Sequence, residues 1–194
     1  MNKVSYALGM SIANNILASG VKDLNVEDFT KAVNAVLSNS KPELSIGEAQ
    51  QVLNEFFTKL QEEQSAGFKE EGVAFLAENS KKDGVITLPS GLQYKIINEG
   101  KGVKPTAKNS VECHYEGKLL SGVKFDSSYD RNEPATFGVT QVIPGWVEAL
   151  QLMNEGSKWE LYIPYNLAYG DKGAGQSIPP YATLVFTVEL LHVI

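Results

Sequence analysis

Two rules of hydrophobic spacing divide this chain of 194 residues. In residues 1–84 apolar side chains recur every three or four positions, the repeat that gathers them on one face of a helix. Leu8, Ile12 and Ile16 form one such stripe, and Gly20 offers the left-handed stop that closes a helix. Asn25 follows as an N-cap candidate with Asp28 three residues on, ahead of a stripe through Phe29, Val33, Val36 and Leu37. Ser45 and Glu48 have the spacing of a capping box. They open a third segment through Val52, Phe56, Leu60, Phe68 and Leu76 that runs to Asp83-Gly84. Unbroken, that segment is roughly 36 residues, about 54 Å long. Gly67 and Gly72 lie inside it, and each weakens a helix by ~1 kcal/mol relative to alanine.

So long a helix cannot bury its whole length on two short helices of its own chain. It either projects into solvent as a spacer or meets a second chain. Two short helices with strong apolar stripes make a poor core alone, which favours an intertwined homodimer through residues 1–84.

Beyond residue 84 the period changes to two. In Val111-Glu112-Cys113-His114-Tyr115-Glu116 the odd positions are apolar and the even ones polar, as in a half-buried strand. Trp159, Leu161 and Ile163 repeat the pattern, as do Leu184, Phe186 and Val188. Between them Trp146, Leu150 and Met153 keep helical spacing in a short helix entered through Pro144. Turn-forming residues shift with the period. Of eight prolines only Pro42 precedes residue 85, while both tryptophans and 11 of 17 glycines follow it. The junction falls at Val85 to Ser90, although Ile86, Leu88 and Leu92 could already be strand. The class is α+β: an all-helical module, residues 1–84, ahead of an antiparallel sheet curled over one short helix, residues 85–194.

Charge narrows the partners. The net charge is −6, with −4 in residues 1–84 and −2 in the remainder, so nucleic-acid backbones are not expected ligands. No run of eighteen apolar residues is present, so no spanning helix is expected and no membrane partner. Cys113 is the single cysteine, which excludes an intramolecular disulfide and fits a reducing compartment. The first residues lack a secretory h-region, so a cytoplasmic location is expected, or a periplasmic one had a signal been trimmed.

Bond-breaking chemistry finds few candidates. His114 and His192, the only histidines, have no spaced Cys or carboxylate partners, and His114 reads as a solvated surface residue. Cys113 sits on an apolar strand face, where a thiol behaves as a small hydrophobe. The glycine-rich Gly170 to Gly175 leads into Ile178-Pro179-Pro180 and not a helix start, so it lacks the dipole of a phosphate loop. No metal and no cofactor are expected. Asp126 follows Phe125 at a strand end. It is either a turn carboxylate or one at the mouth of an aromatic pocket, held by Tyr115 or Arg131. Trp146, taken in isolation, reads as plain core. Many aromatics with one carboxylate suit a site that holds an apolar group and changes its conformation.

The order and spacing of Tyr115, Phe125-Asp126-Ser127-Ser128, Arg131, Val142-Ile143-Pro144-Gly145-Trp146, Ala168-Tyr169-Gly170 and Ile178-Pro179-Pro180 resemble FKBP-type peptidyl-prolyl cis-trans isomerases throughout. The helical part, from Tyr6-Ala7-Leu8-Gly9 onward, resembles the N-terminal module of bacterial two-domain members, the macrophage infectivity potentiator group among them. The resemblance implies a half-open antiparallel sheet around the short helix, and accelerated rotation about X-Pro bonds. It implies Trp146 as pocket floor, with Tyr115, Phe125, Val142, Ile143 and Phe186 as walls. Tyr169 would donate to a substrate carbonyl, the Ile143 N–H would bind another, and Asp126 would stand beside the twisting amide. Phe137, Gln141 and Ile178 complete the substrate-binding set. The implied partners are unfolded or proline-containing polypeptides, a second copy through residues 1–84, and macrolide immunosuppressant-type ligands. A dimeric chaperone or adaptor that only holds unfolded chains is the alternative. Where the family commonly has a wall aromatic and a late-loop histidine, this chain has Ala135 and Ala174, which implies a more open rim.

Overall fold

The structure, a computed structural model, describes residues 1–194 and consists of two compact units, Met1–Glu62 and Glu63–Ile194.

Helix α1 (Lys3–Ala18) begins at Asn2, a cap that the apolar stripe does not reveal, while α2 (Val26–Leu37) begins at the predicted cap Asn25. Asn2 Oδ1 accepts from Val4 and Ser5 N–H, and Asn25 Oδ1 from Glu27 and Asp28 N–H. Helix α3 (Ile46–Asn79) opens with a reciprocal capping box, the Ser45 N–H donating to Glu48 at 2.9 Å and the Glu48 N–H to Ser45 at 3.3 Å. It runs unbroken for 34 residues through both Gly67 and Gly72. Neither α1 nor α2 buries a single residue within the chain, and Leu8 and Ile12 of the predicted stripe are 59% and 46% exposed.

The end of α3 falls at Asn79, short of Asp83-Gly84. A contact with the sheet lies at that end. The Asn79 amide is fully buried and donates to Gln93 Oε1 at 3.0 Å, while Gln93 Nε2 donates to the Leu76 carbonyl at 2.8 Å. A strand residue thus adds a second donor to the Leu76 carbonyl, which already accepts from the Ser80 N–H at 3.0 Å.

The second unit carries a seven-stranded antiparallel sheet. Its strands are β1 (Val85–Thr87), β2 (Gln93–Asn98), β3 (Ser110–Leu119), β4 (Lys124–Ser127), β5 (Ala135–Gly138), β6 (Lys158–Ile163) and β7 (Leu184–Val193). The order is β1-β2-β6-β7-β3-β4, with β5 also on β3. The long β3–β7 pair aligns Tyr115 with Val188 and Gly117 with Phe186. Helix α4 (Pro144–Leu150) buries Trp146, Ala149 and Leu150, and its proline takes the first helical turn, where no N–H is needed. These side chains join Val111, Cys113, Leu161, Val188 and Met153 in the core. The alternation predicted for β3 holds: Val111, Cys113 and Tyr115 are buried while their neighbours are half-exposed. In β6 it fails at Tyr162, which is buried on the opposite face against Phe75 of α3, ring centroids 5.9 Å apart. No helix is long and apolar enough to cross a membrane.

Candidate active site

Helix α4, strands β3, β4, β5 and β7, and the 165–178 loop enclose a cavity of about 580 Å³. That is a volume suited to a small ligand or a few residues of peptide. Trp146, only 4% exposed, stands at its base. Three rings meet it edge to face. Tyr115 and Phe186 have centroids 5.3 Å away at 86° and 84°, and Phe137 lies 5.7 Å away at 82°. Such edge-to-face contacts set the positive edge of one ring against the negative face of the other, an arrangement more favourable than a face-to-face sandwich. Phe125 continues the wall from Phe186, 5.5 Å away and again edge-on.

Gly117 explains how those two rings come so close. A Cβ there would sit 2.6 Å from the Phe186 ring and 2.7 Å from that of Phe125, so any side chain in the middle of β3 would push the wall apart.

Val142 and Ile143 reach the cavity from the entry to α4, where Ile143 is the N-cap in extended conformation. Gln141 precedes them, its Oε1 accepting from the Gly138 N–H at 3.3 Å. On the far side the glycine-rich loop is a tight hairpin and not an anion cradle. Ala174 and Ile178 exchange backbone hydrogen bonds of 2.8 and 3.1 Å, and Gly170, Gly173 and Gly175 all take positive φ. That hairpin brings Ala174, Ser177 and Ile178 to the rim beside Tyr169.

The polar edge is a triangle. The Tyr115 hydroxyl donates to Asp126 Oδ2 at 2.6 Å, and Arg131 donates through Nη1 to Asp126 Oδ1 at 2.5 Å and through Nη2 to Tyr115 Oη at 2.9 Å. Both alternatives from the sequence, Tyr115 and Arg131, therefore hold Asp126. Burial works to raise the Asp126 carboxyl, but the hydrogen bonds from Tyr115 and Arg131 and the guanidinium charge outweigh it and keep the group below the usual carboxylate range. Burial raises the Tyr169 phenol, and the negative charge of Asp126 adds to that effect. Tyr115 is raised too, by burial first and then by its bond to Asp126. At neutral pH the site accordingly presents one paired carboxylate and two phenol hydroxyls.

All eleven residues expected at the site line this one cavity: Tyr115, Phe125, Asp126, Trp146 and Tyr169, together with Phe137, Gln141, Val142, Ile143, Ile178 and Phe186. Ala174 lines it as well, whereas Ala135 does not. It lies on β5 opposite Cys113 and packs on the core, so only Ala174 bears on the rim. Ser177 escaped the sequence reading, which offers no signal for a lone serine in a polar loop. Ser128 has a role there too. Its Oγ accepts from the Tyr115 N–H at 2.7 Å and lies 2.9 Å from His114 Nδ1, fixing the backbone of the wall tyrosine. His114 is thus half-buried, stacked on Tyr129 at 4.7 Å, and not the solvated residue its polar flanks imply. Cys113 is buried as expected, and desolvation pushes its thiol up to about 12.

Two family models match the chain. Residues 101–191 match the family model of the FKBP-type peptidyl-prolyl cis-trans isomerase, and residues 1–96 that of the domain amino terminal to it. The chain is 43% identical to the FKBP-type 22 kDa peptidyl-prolyl cis-trans isomerase of Escherichia coli K12, over 99% of this chain and 95% of that protein. It is 41% identical to the outer membrane protein MIP of Legionella longbeachae, over 99% and 85% of the two chains. The crystal structure of FkpA from Escherichia coli superposes with a TM-score of 0.80 at 35% identity, covering 98% of this chain and 95% of that one. A relative named an outer membrane protein lends no support to the cytoplasmic expectation.

Proposed function

The chain belongs to the FKBP-type peptidyl-prolyl cis-trans isomerases, and we propose that the cavity over Trp146 is where it turns the X-Pro bond. It is a peptidyl-prolyl cis-trans isomerase acting on proline-containing polypeptides. Trp146 seats the proline ring, and Tyr115, Phe125, Phe137 and Phe186 wall it in. Tyr169 and the Ile143 N–H hold substrate carbonyls, with Gln141, Val142 and Ile178 along the chain on either side. Asp126, neutralised in part by Arg131, stands by the amide.

The reaction needs no covalent step. Rotation about a peptide bond faces ~18–20 kcal/mol because resonance must be broken. The planar amide is the more polar form, so removing water from its carbonyl in an apolar cavity disfavours the ground state. Walls shaped to the twisted ring then bind it better than either planar isomer. The edge-on rings around Trp146 carry this reading, since they shape a rigid apolar seat and bring no nucleophile.

Residues 1–84 are assigned to dimerisation and 85–194 to catalysis. Helices α1 and α2 bury nothing within one chain although both carry large apolar side chains, and a second copy would cover them. A cytoplasmic and an envelope location suit a buried, unpaired thiol equally. The test is cis/trans exchange on a short proline peptide, with wild type compared against Trp146→Ala and Tyr169→Phe. No acceleration by wild type, together with suppressed aggregation of an unfolded client, would replace the enzyme by a holding chaperone.

A further inference from the structure

The last part of α3, residues 63–79, belongs to the same compact unit as the sheet, and it touches the loop that forms the rim of the cavity. Lys69 places its ammonium 5.6 Å from the centroid of Tyr181 and 5.8 Å from that of Tyr165, two half-buried rings that meet edge to face at 5.1 Å. One turn further on, Gly72 faces Thr183. A Cβ on Gly72 would overlap Thr183 Oγ1 and lie 3.1 Å from its Cβ. Phe68 and Glu71 close the same contact against Leu119 and Ala182, leaving a gap of only about 30 Å³.

Tyr165 and Tyr181 are the two ends of the rim loop. The Tyr181 N–H donates to the Gly170 carbonyl at 2.9 Å, and the Gly170 N–H to the Tyr165 carbonyl at 2.9 Å. Tyr169 is the residue before Gly170, and Ile178 is three before Tyr181; both line the cavity. Tyr181 itself is held at φ +60°, a left-handed conformation that costs an aromatic residue energy and persists only where its surroundings impose it. The surroundings here are the Tyr165 ring, Lys69 and the Gly72–Thr183 contact.

We propose that residues 63–79 of α3 are a built-in brace of the isomerase site, with Lys69 and Gly72 as positioning residues that hold Tyr169 and Ile178 at the rim. The proposal rests on the assignment of the cavity as the isomerase site. It also gives Gly72 a reason. A glycine weakens a long helix, and here its missing side chain lets the helix approach the loop by the width of a methyl group.

The test uses the full chain and a short proline peptide, assayed well below the melting temperature of each variant. Gly72→Ala is expected to raise KM and lower kcat/KM by roughly three- to tenfold, with kcat little changed, because displaced rim groups lose ground-state and transition-state contacts alike. Thr183→Ala in the same chain removes the overlapping hydroxyl and is expected to restore KM. Lys69→Met is expected to lower kcat/KM by about two- to fivefold, and Lys69→Arg to retain it, since the guanidinium also sits over aromatic faces. Alanine is the better helix former, so a helix serving only as a spacer would be stabilised by Gly72→Ala with KM unmoved. That outcome, or unchanged KM in both Gly72→Ala and Lys69→Met, overturns the brace. An inactive wild type would instead remove the isomerase assignment beneath it.

Discussion

Tyr115 and Trp146 meet edge to face, centroids 5.3 Å apart and planes at 86°, while the other end of Tyr115 donates to Asp126 at 2.6 Å. One side chain therefore joins the apolar floor of the site to its polar edge. Trp146 is core and floor at once, so its two roles are inseparable. Trp146→Ala is expected to destabilise the fold by about 3–5 kcal/mol, the usual cost of emptying a buried tryptophan site. Urea denaturation measures it, and a midpoint equal to wild type would remove Trp146 from the core.

In the proposed mechanism desolvation and shape act through many contacts, so no single substitution is expected to abolish activity. Tyr169→Phe removes one neutral hydrogen bond and is expected to lower kcat/KM by roughly three- to tenfold. Asp126→Asn leaves Arg131 without its counter-ion and is expected to cost roughly tenfold. Peptide isomerisation assays read both. Complete loss in Asp126→Asn with an intact circular dichroism spectrum would refute the non-covalent, distributed mechanism.

The titrating groups at the site leave neutral pH undisturbed. The Asp126 carboxyl lies below its ordinary value of ~3.9, burial being outweighed by Tyr115 and Arg131. Its contribution to stability is therefore present above that value and lost as pH falls through the depressed one. Tyr115 and Tyr169 are raised, burial being the main cause, so their hydroxyls stay protonated past ~10 and lose their stabilising contribution only as pH rises through the raised values. A flat kcat/KM between about pH 5 and 9 is expected. An inflection near 7 would point to a group other than these three.

The Cys113 thiol is raised to about 12 by burial, with Glu112 adding to it. Its nucleophilic thiolate is scarce at neutral pH. Native protein should leave an aromatic disulfide reagent unreacted for as long as it stays folded, and react at once in denaturant. Rapid native labelling would mean that β3 opens readily.

Helices α1 and α2 with no buried residue are expected to find their core in a second chain. Light scattering should return about twice the chain mass of 21.1 kDa. A mass near that of one chain would leave the stripe of Leu8 and Ile12 without a partner.

What the sequence alone determined was what depends on neighbours along the chain. The Asn25 cap and the Ser45–Glu48 box are set within one turn of backbone, and alternation through Val111, Cys113 and Tyr115 follows from the pleat of a strand. Family spacing then named the eleven residues around the cavity. The tertiary structure decided what rests on distant partners. Gln93 bonds the Asn79 side chain and the Leu76 carbonyl of α3 from another element, and Tyr162 is buried on the wrong face for its period because Phe75 covers it. Gly72, which local propensity scores as a flaw in α3, marks close contact with Thr183. The Asp126 triangle was legible as two alternatives, and only folding made both true at once. Periodicity reports on the repeat of the backbone, whereas close approach and hydrogen bonds between elements exist only once remote segments have packed.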